Sequence, residues 1–341
     1  MINVFRLIVD FAAIYSIYLI LSVSLNLEYG YTGIPNFGKV LFFAGGAFTV
    51  GALTARILAP LVGINLALID YKTNNVLISS QVTMYLSNNP GLSLAVLLSM
   101  LALGAIIGAV LGWLASYPAI RLREDYLGMT LVVAGELMRR IALNYDPLIC
   151  GTLGVAVPNP YAFLEGAALD AFRSGFMLVV ALSVWFFAER LALSPFGRLL
   201  RAIRDNELAA EALGKDVVKV RAVVLIIGSA MAGLAGALYA FYTGFVHPND
   251  CVPITTFVVW VMVVMGGAGN NAGAALGAFI YLLVERVIAI AKYHIHGLPF
   301  DINYVSYIAL GVLLILILMY RPEGLLPERP PSSLVHREGK E

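Results

Sequence analysis

Runs of apolar residues recur along nearly the whole sequence, and most of them approach the ~20 residues that an α-helix needs to cross a bilayer. Hydrophobic residues make up 60% of the chain and charged residues 13%, whereas soluble domains have values near ~47% and ~25%. We therefore predict an all-α, polytopic membrane protein with about 8–10 transmembrane helices, some of them short, broken or re-entrant. The apolar runs are 4–27, 40–58, 92–117, 127–143, 175–193, 217–245, 255–267, 274–291 and 303–320.

The stretch from Ser194 to Arg221 is a long polar segment between two apolar runs, and it holds six of the 22 basic residues. Because lysine and arginine are in excess in the cytoplasmic loops of membrane proteins, we place this stretch inside the cell. Alternation then puts the N-terminus outside and divides the chain into a membrane domain, residues 1–320, and a cytoplasmic tail, residues 321–341. The remaining loops fall at 121–125 inside, and at 59–91, 144–174 and 246–254 outside.

Capping signals divide residues 194–221 into two short helices. Ser194 and Pro195 are an N-cap and a first helical residue, Asp205 can cap the second helix, and Gly214 ends it. Each helix would direct a narrow apolar face away from its charges, and we expect that face to meet another apolar surface. The alternative is a solvated helix pair that serves only to orient the chain. The apolar residues are Leu199, Leu200 and Ile203 on the first helix, and Leu208 and Ala212 on the second.

Several apolar runs carry small residues at a spacing of four. In lipid, such faces let two helix backbones approach closely, so we assign these residues to helix packing. They are Gly104, Gly108 and Gly112; Gly228, Ala232 and Gly236; and Gly273 with Gly277.

Two stretches rich in Gly, Pro and Asn interrupt the apolar runs, Glu28 to Lys39 (EYGYTGIPNFGK) and residues 266–273 (GGAGNNAG). Irregular backbone at membrane depth must line a cavity or be buried in protein, and paired interruptions are typical of a transport site. The alternative is two turns at the membrane surface. The candidate residues of a translocation path are Thr32, Gly33, Asn36, Phe37, Gly267 and Asn270, together with Glu136.

Glu136 is a candidate because a carboxylate within a membrane helix is a functional residue by default. Arg139 and Arg140 follow it at the spacing of neighbours on one helix face, which favours a neutralised structural cluster over a proton relay. A stand-alone transporter driven by an ion gradient is the competing class of protein, and it would depend on Glu136.

Residues Gly33 to Lys39 spell most of a phosphate-binding P-loop, but Val40 stands where a Ser or Thr would bind magnesium. We therefore exclude nucleotide binding here, and any ATP must be hydrolysed by a separate subunit. The sequence has no HExxH motif and no apparent catalytic set, so we expect neither a metal site nor catalysis. It has no basic patch large enough for nucleic acid.

Cys150 and Cys251 both fall in loops predicted to lie outside, where a disulfide can persist. Pairing cannot be read from a sequence, and of the two alternatives we favour two free thiols over a disulfide.

The stretch from Gly197 to Gly214, GRLLRAIRDNELAAEALG, resembles the coupling loop of permease subunits in branched-chain amino-acid ABC importers. Further stretches resemble the same family in the expected order, so the resemblance spans nearly the whole chain and is greater to the M-type of the two sister permeases than to the H-type. The chain departs at Lys39, where the family often has a histidine. The further stretches are 24–38 (SLNL, GYTG and FG), 121–127 (RLREDYL), 266–269 (GGAG) and 321–326 (RPEGLL).

The resemblance implies an importer subunit for branched-chain or related amino acids, with urea or short amides as alternatives. It also implies two cytoplasmic ATPase subunits that use ATP and Mg, a sister permease in a heterodimer and an extracytoplasmic substrate-binding protein, while this chain would bind no cofactor. The two short helices would form a cytoplasmic coupling helix pair that docks into a cleft on the ATPase. The residues implied at that contact are Arg198, Arg201, Arg204, Asp205, Glu207, Glu211 and Gly214.

Overall fold

The computed structural model describes residues 4–65, 69–121, 124–292 and 303–328. Each of the nine predicted apolar runs contains an α-helix, which confirms the predicted all-α bundle. Leu122 and Arg123 of the 121–127 stretch, and residues 329–341 of the predicted tail, lie outside the described residues. The helices are α1 (Val4–Leu25), α2 (Lys39–Leu58), α3 (Tyr71–Ser87), α4 (Pro90–Arg121), α5 (Glu124–Asn144), α6 (Asp146–Ile149), α7 (Gly166–Leu193), α8 (Pro195–Asp205), α9 (Glu207–Ala212), α10 (Val217–Thr243), α11 (Ile254–Gly266), α12 (Asn271–Lys292) and α13 (Asn303–Tyr320).

Seven helical segments of the described residues are long and apolar enough to cross a membrane, namely α1, α2, α4, α7, α10, α11 and α12 with their flanking turns. The apolar part of α13, Ile308–Tyr320, is shorter, and α5 has sufficient length but carries five charged residues. Together with α5 and α13, the seven segments make nine membrane helices in the described part of the chain, which agrees with the predicted range of about 8–10. The protein is therefore a multi-pass membrane protein of the cell membrane.

Helix α10 lies at the centre of the bundle and packs along α4 and α2. A Cβ atom added to Gly104 of α4 would lie 2.7 Å from the Cβ of Ala237 in α10. Gly46 of α2 lies so close to the backbone of Gly233 that any Cβ atom would overlap its carbonyl oxygen. Small residues therefore allow three helix backbones to approach closely, which confirms the assignment of Gly104 to helix packing. Gly228 of the predicted set lies instead against the side chain of Glu28.

We name the ends of the bundle after the predicted orientation, so that the cytoplasmic end carries α8 and α9. At the outer end a two-stranded antiparallel ribbon joins two loops, since strand β1 (Val155–Ala156) pairs with strand β2 (Phe245–Val246). Helix α3 packs against this ribbon, where Asn75 accepts a hydrogen bond from the backbone N–H of Ala156 at 3.0 Å. Helix α3 was not predicted because its residues are too polar to form an apolar run.

The two cysteines lie at the outer end, in the loops where they were expected. Cys150 and Cys251 are both buried, and both are free thiols in the structure. Burial raises the pKa of the Cys150 thiol above its usual value. This side chain therefore behaves as a small apolar group of the core.

The close contact between α2 and α10 predicts that Gly46→Ala destabilises the protein, because the added methyl group overlaps the Gly233 backbone. The expected loss is about 1–3 kcal/mol, as for other overpacked cores, measured as a lower melting temperature in detergent. Gly175→Ala is the matched control, since a Cβ atom at that position of α7 meets nothing within 4 Å. Equal melting temperatures for the two variants would contradict the packing described for α10.

Candidate functional site

Local capping interactions determine where the two short cytoplasmic helices begin and end. The Ser194 hydroxyl accepts a hydrogen bond from the backbone N–H of Gly197 and caps α8 as predicted. Helix α9 is capped by Asn206, whose side chain accepts a hydrogen bond from the N–H of Ala209 at 3.0 Å, and not by Asp205. The prediction was wrong by one residue because the extended backbone that an N-cap requires occurs at Asn206, whereas Asp205 is the last residue of α8.

The apolar faces of α8 and α9 have different surroundings. Leu200 and Ile203 of α8 are buried within this chain, and Ile203 packs with Ala210 and Val217. On α9, Leu208 is 77% exposed, and Leu213, directly after the helix, is 79% exposed. Ala212 is exposed as well. The first helix is therefore anchored to the membrane domain, while the second presents apolar side chains outward.

Two arginines of α8 form ion pairs with Glu328, which follows α13 in the chain. Arg201 Nε lies 2.9 Å from one carboxylate oxygen of Glu328, and the Arg204 guanidinium lies 2.8 Å from the other. Arg204 also donates a hydrogen bond to the carbonyl oxygen of Gly30. Partial burial lowers the pKa of Arg204, but the hydrogen bond and charge of Glu328 outweigh this effect, so its pKa lies above the usual value. Arg204 therefore stays charged and links α8 to the first interruption.

The other residues implied at the ATPase contact lie in different environments. Glu207 pairs with Arg221 at 2.9 Å, within the chain. Arg198, Asp205, Glu211 and Gly214 are exposed, and Gly214 follows α9 with a φ of +73° that favours glycine.

Residues 321–328, which we call the C-terminal clasp, pack back onto the second interruption. The backbone N–H groups of Leu325 and Leu326 donate to the carbonyl oxygens of Met265 and Gly266 at 3.1 and 3.0 Å. Gly267 has a φ of +116°, and any Cβ atom there would overlap the carbonyl oxygen of Leu326. The first part of the predicted tail is therefore an ordered part of the cytoplasmic end.

The two interruptions contact each other in the interior of the protein, where Gly30 of the first lies against the backbone nitrogen of Gly269 in the second. Asn26, buried directly after α1, accepts a hydrogen bond from the N–H of Gly269 at 2.8 Å and donates one to Asn271 at 2.9 Å. Asn271 in turn donates to Glu189 of α7 at 3.0 Å. Asn270 donates to the carbonyl oxygen of Pro327 in the clasp at 3.0 Å. These contacts favour a buried junction over two independent turns at the membrane surface.

A buried ion pair connects the first and last residues of the first interruption. Glu28 lies in a π-helical turn, Asn26–Gly30, that continues α1, and Lys39 is the first residue of α2. Their charged atoms are 2.8 Å apart, and the side chains are only 0% and 1% exposed. Asn36 donates a hydrogen bond to the second oxygen of Glu28 at 2.8 Å. Gly228 of α10 makes room for this carboxylate, because a Cβ atom there would lie 2.6 Å from the Glu28 carboxyl carbon.

Aromatic rings pack beside this ion pair. Trp260 of α11 stacks on Phe37 with ring centroids 4.5 Å apart and also contacts Tyr29. Its indole N–H donates to the carbonyl oxygen of Asn36 at 3.1 Å. Helix α11 thus packs directly on the first interruption.

The predicted path residues come together with one exception. Thr32 and Asn36 are buried, Phe37 and Gly33 are half-buried, and Gly33 lies against the side chain of Arg204. Gly267 and Asn270 belong to the second interruption, which contacts the first interruption, and both also contact the clasp.

Glu136 does not belong to this group. It binds the side chains of Arg139 and Arg140, and Arg139 also contacts Asn249 in an outer loop. The geometry thus matches the neutralised cluster that its spacing favours, and it separates Glu136 from the interruptions.

Four residues of the junction were not predicted from the sequence, although two of them occur in a recognisable pattern. Asn26 is an amide near the end of an apolar run and Asn271 is an amide within the second interruption, and polar side chains at such positions mark contacts inside a membrane bundle. Trp260 and Glu328 had no local pattern that distinguished them from other aromatic or acidic residues.

The fold is that of a helical multi-pass membrane protein in which two interrupted hairpins are joined to a pair of short polar helices. The chain belongs to the family described as "Branched-chain amino acid transport system / permease component", whose model matches residues 7–318. No solved structure matches the chain.

Individual relatives carry names consistent with this family. The chain is 39% identical to the probable branched-chain amino acid transport permease protein LivM of Methanocaldococcus jannaschii, over 93% of this chain and 92% of the relative. It is 28% identical to the high-affinity branched-chain amino acid transport system permease protein LivM of Escherichia coli K12, over 95% of this chain and 71% of the relative. It is 27% identical to the probable branched-chain amino acid transport permease protein LivH of M. jannaschii, over 94% of this chain and 92% of the relative. The predicted M-type is therefore confirmed.

The buried ion pair predicts that Lys39→Met destabilises the protein, because Glu28 is left as an unpaired buried charge. The expected loss is about 3–5 kcal/mol, measured as a lower melting temperature in detergent. The double variant Glu28→Gln, Lys39→Met should recover part of this loss, since both charges are removed. Lys72→Met is the control, because the Lys72–Asp146 pair is largely exposed. A Lys39→Met variant as stable as the wild type would contradict the described role of the pair.

Proposed function

We propose that this chain is the membrane-spanning M-type subunit of an ABC importer for branched-chain amino acids. Two cytoplasmic ATPase subunits would supply the energy, an H-type sister permease would complete the pore, and an external binding protein would deliver the amino acid. Family membership supports the class of transporter, and the substrate follows the printed names of the relatives. The single observation that supports coupling is the exposed apolar surface of α9 beside an α8 anchored in the membrane domain.

The ATPase would contact α9 and the exposed polar residues of the loop. Leu208 and Leu213 are large apolar side chains at an end of the bundle that faces water in the predicted topology. Exposed apolar residues flanked by charges are typical of a protein docking site. Arg198 and Glu211 would then be polar contacts at its rim, as the family resemblance implies.

Movement of α9 would reach the membrane domain through contacts within this chain. Ala210 of α9 packs on Ile203 of α8, and α8 holds Glu328 of the clasp and the carbonyl oxygen of Gly30. The clasp is bonded to the second interruption and Gly30 belongs to the first, so a displacement of α8 would shift both. If α9 contacts the two states of the ATPase differently, that difference in free energy can shift the permease between inward- and outward-facing forms.

ATP and magnesium would be used by the partner subunits and not by this chain. The lysine of the P-loop-like stretch, Lys39, is buried and paired with Glu28, so its charge is neutralised within the protein. This placement supports a division of labour in which the permease provides the path and the ATPases provide hydrolysis.

The alternative functions are less well supported. A stand-alone secondary transporter would use Glu136 as an ionisable site, yet this carboxylate is held by two arginines. The relatives' names favour amino acids over urea or short amides.

The proposed docking site predicts that the double variant Leu208→Asp, Leu213→Asp no longer retains the ATPase subunits. The charged side chains would oppose burial in an apolar cleft, while both positions are exposed in this chain, so the membrane domain should still fold. The measurement is co-purification of the ATPases with tagged permease, together with leucine uptake in cells.

Leu153→Asp is the matched control, because Leu153 is an exposed leucine at the opposite, outer end. Unchanged ATPase retention by the double variant would show that α9 is not the docking site. A wild-type permease that imports leucine without any ATPase would overturn the importer proposal itself.

A further inference from the structure

A partly open cavity of about 410 Å³ lies between α1, α10 and α12, toward the outer end of the bundle. Its lining includes Thr243, the last residue of α10, and Asp250 in the following outer loop. On the opposite side it extends to Leu21 of α1 and Phe43 of α2. Leu21 is seven residues before Glu28, or about 10 Å along a helix. The cavity thus reaches from the outer end toward the buried ion pair of the first interruption.

Charges of both signs line this cavity. Glu285 and Arg286 are neighbours in α12 and both contribute to its wall. Within the described part of the chain, neither side chain forms a hydrogen bond or an ion pair with another residue. Charged side chains within membrane helices are expensive and face cavities or partners, and they mark solute pathways. Both groups therefore line the space that a solute in this cavity would occupy.

Asp250 adds a second carboxylate to the lining. One of its oxygens accepts a hydrogen bond from the backbone N–H of His247 at 3.0 Å, which fixes the side chain at the end of the loop. Two acidic groups and one arginine can therefore meet a ligand that carries both a cationic and an anionic group.

The rest of the lining combines five apolar residues with three tyrosines and two threonines. Ile17 and Leu21 of α1 and Phe43 of α2 provide an aliphatic and aromatic wall. The volume lies within the ~300–1,000 Å³ typical of small-molecule sites, which combine an apolar wall with a few polar groups that fix orientation.

We propose that this cavity is the site at which the permease receives an α-amino acid with an aliphatic side chain from the outer side. Arg286 binds the α-carboxylate, since a guanidinium can hold both carboxylate oxygens. Glu285 and Asp250 face the ammonium group, and the apolar wall takes the side chain. A neutral ligand such as urea would leave these charges unpaired, so the site selects against it. This inference rests on the proposed importer function and adds the residues that select the substrate.

The experiment uses the complete importer in proteoliposomes, with leucine-loaded binding protein on the outer side. Arg286→Gln should lower the rate of leucine uptake about tenfold or more, as expected for loss of a charge-assisted hydrogen bond. Stimulation of ATP hydrolysis by the binding protein should be retained, because the docking surfaces are unchanged. Arg286→Lys, which keeps the charge but not the bidentate geometry, should restore part of the uptake.

Arg6→Gln is the matched control, because Arg6 also lies at the outer end but its side chain is 72% exposed. Uptake by Arg286→Gln equal to that of Arg6→Gln would overturn the site and leave the importer function intact. A wild-type importer that fails to take up leucine would instead contradict the proposed function.

A second variant tests the proposed site if Arg286→Gln does not form a complete importer. Ala289 lines the cavity and is exposed, so Ala289→Phe fills space without disturbing the buried core. Uptake of leucine should fall more than uptake of alanine, since the larger side chain has less room. An unchanged ratio of leucine to alanine uptake would overturn the proposal.

Discussion

The buried ion pair between Glu28 and Lys39 is the interaction on which the architecture of the first interruption depends. Two charges removed from solvent are retained only where their mutual attraction and further hydrogen bonds offset the desolvation cost. Here Asn36 donates to Glu28, and the absence of a side chain at Gly228 admits the carboxylate beside α10. The pair therefore joins the end of α1 to the start of α2. It also positions the residues between them against Trp260 and the second interruption.

From this junction a continuous set of polar contacts leads to the cytoplasmic surface. Asn26 binds the second interruption, the clasp binds the same interruption through its backbone, and Glu328 of the clasp binds α8. Backbone hydrogen bonds and partly buried ion pairs hold these elements together, whereas α9 remains exposed. The result is a permease in which the exposed helix α9, through its contact with α8, is connected to both breaks in the membrane helices.

The sequence predicted the features that arise from local patterns. Apolar length located the membrane helices, Ser194 and Gly214 bounded the helix pair, and the four-residue spacing of small residues predicted the contact at Gly104. Contacts between distant residues could not be predicted in this way. The Glu328 carboxylate binds arginines more than 120 residues earlier in the chain, and nothing in the local sequence around either partner indicates the other.

The most direct test of this account is the number of leucine molecules transported per ATP hydrolysed by the complete importer in proteoliposomes. Glu328→Ala removes the link between α8 and the second interruption, whereas Glu323→Ala changes an exposed acid in the same clasp. We expect Glu328→Ala to hydrolyse ATP while its transport per ATP falls severalfold below that of Glu323→Ala and the wild type. Equal transport per ATP in all three proteins would contradict the claim that the clasp transmits movement from the coupling helices to the membrane domain.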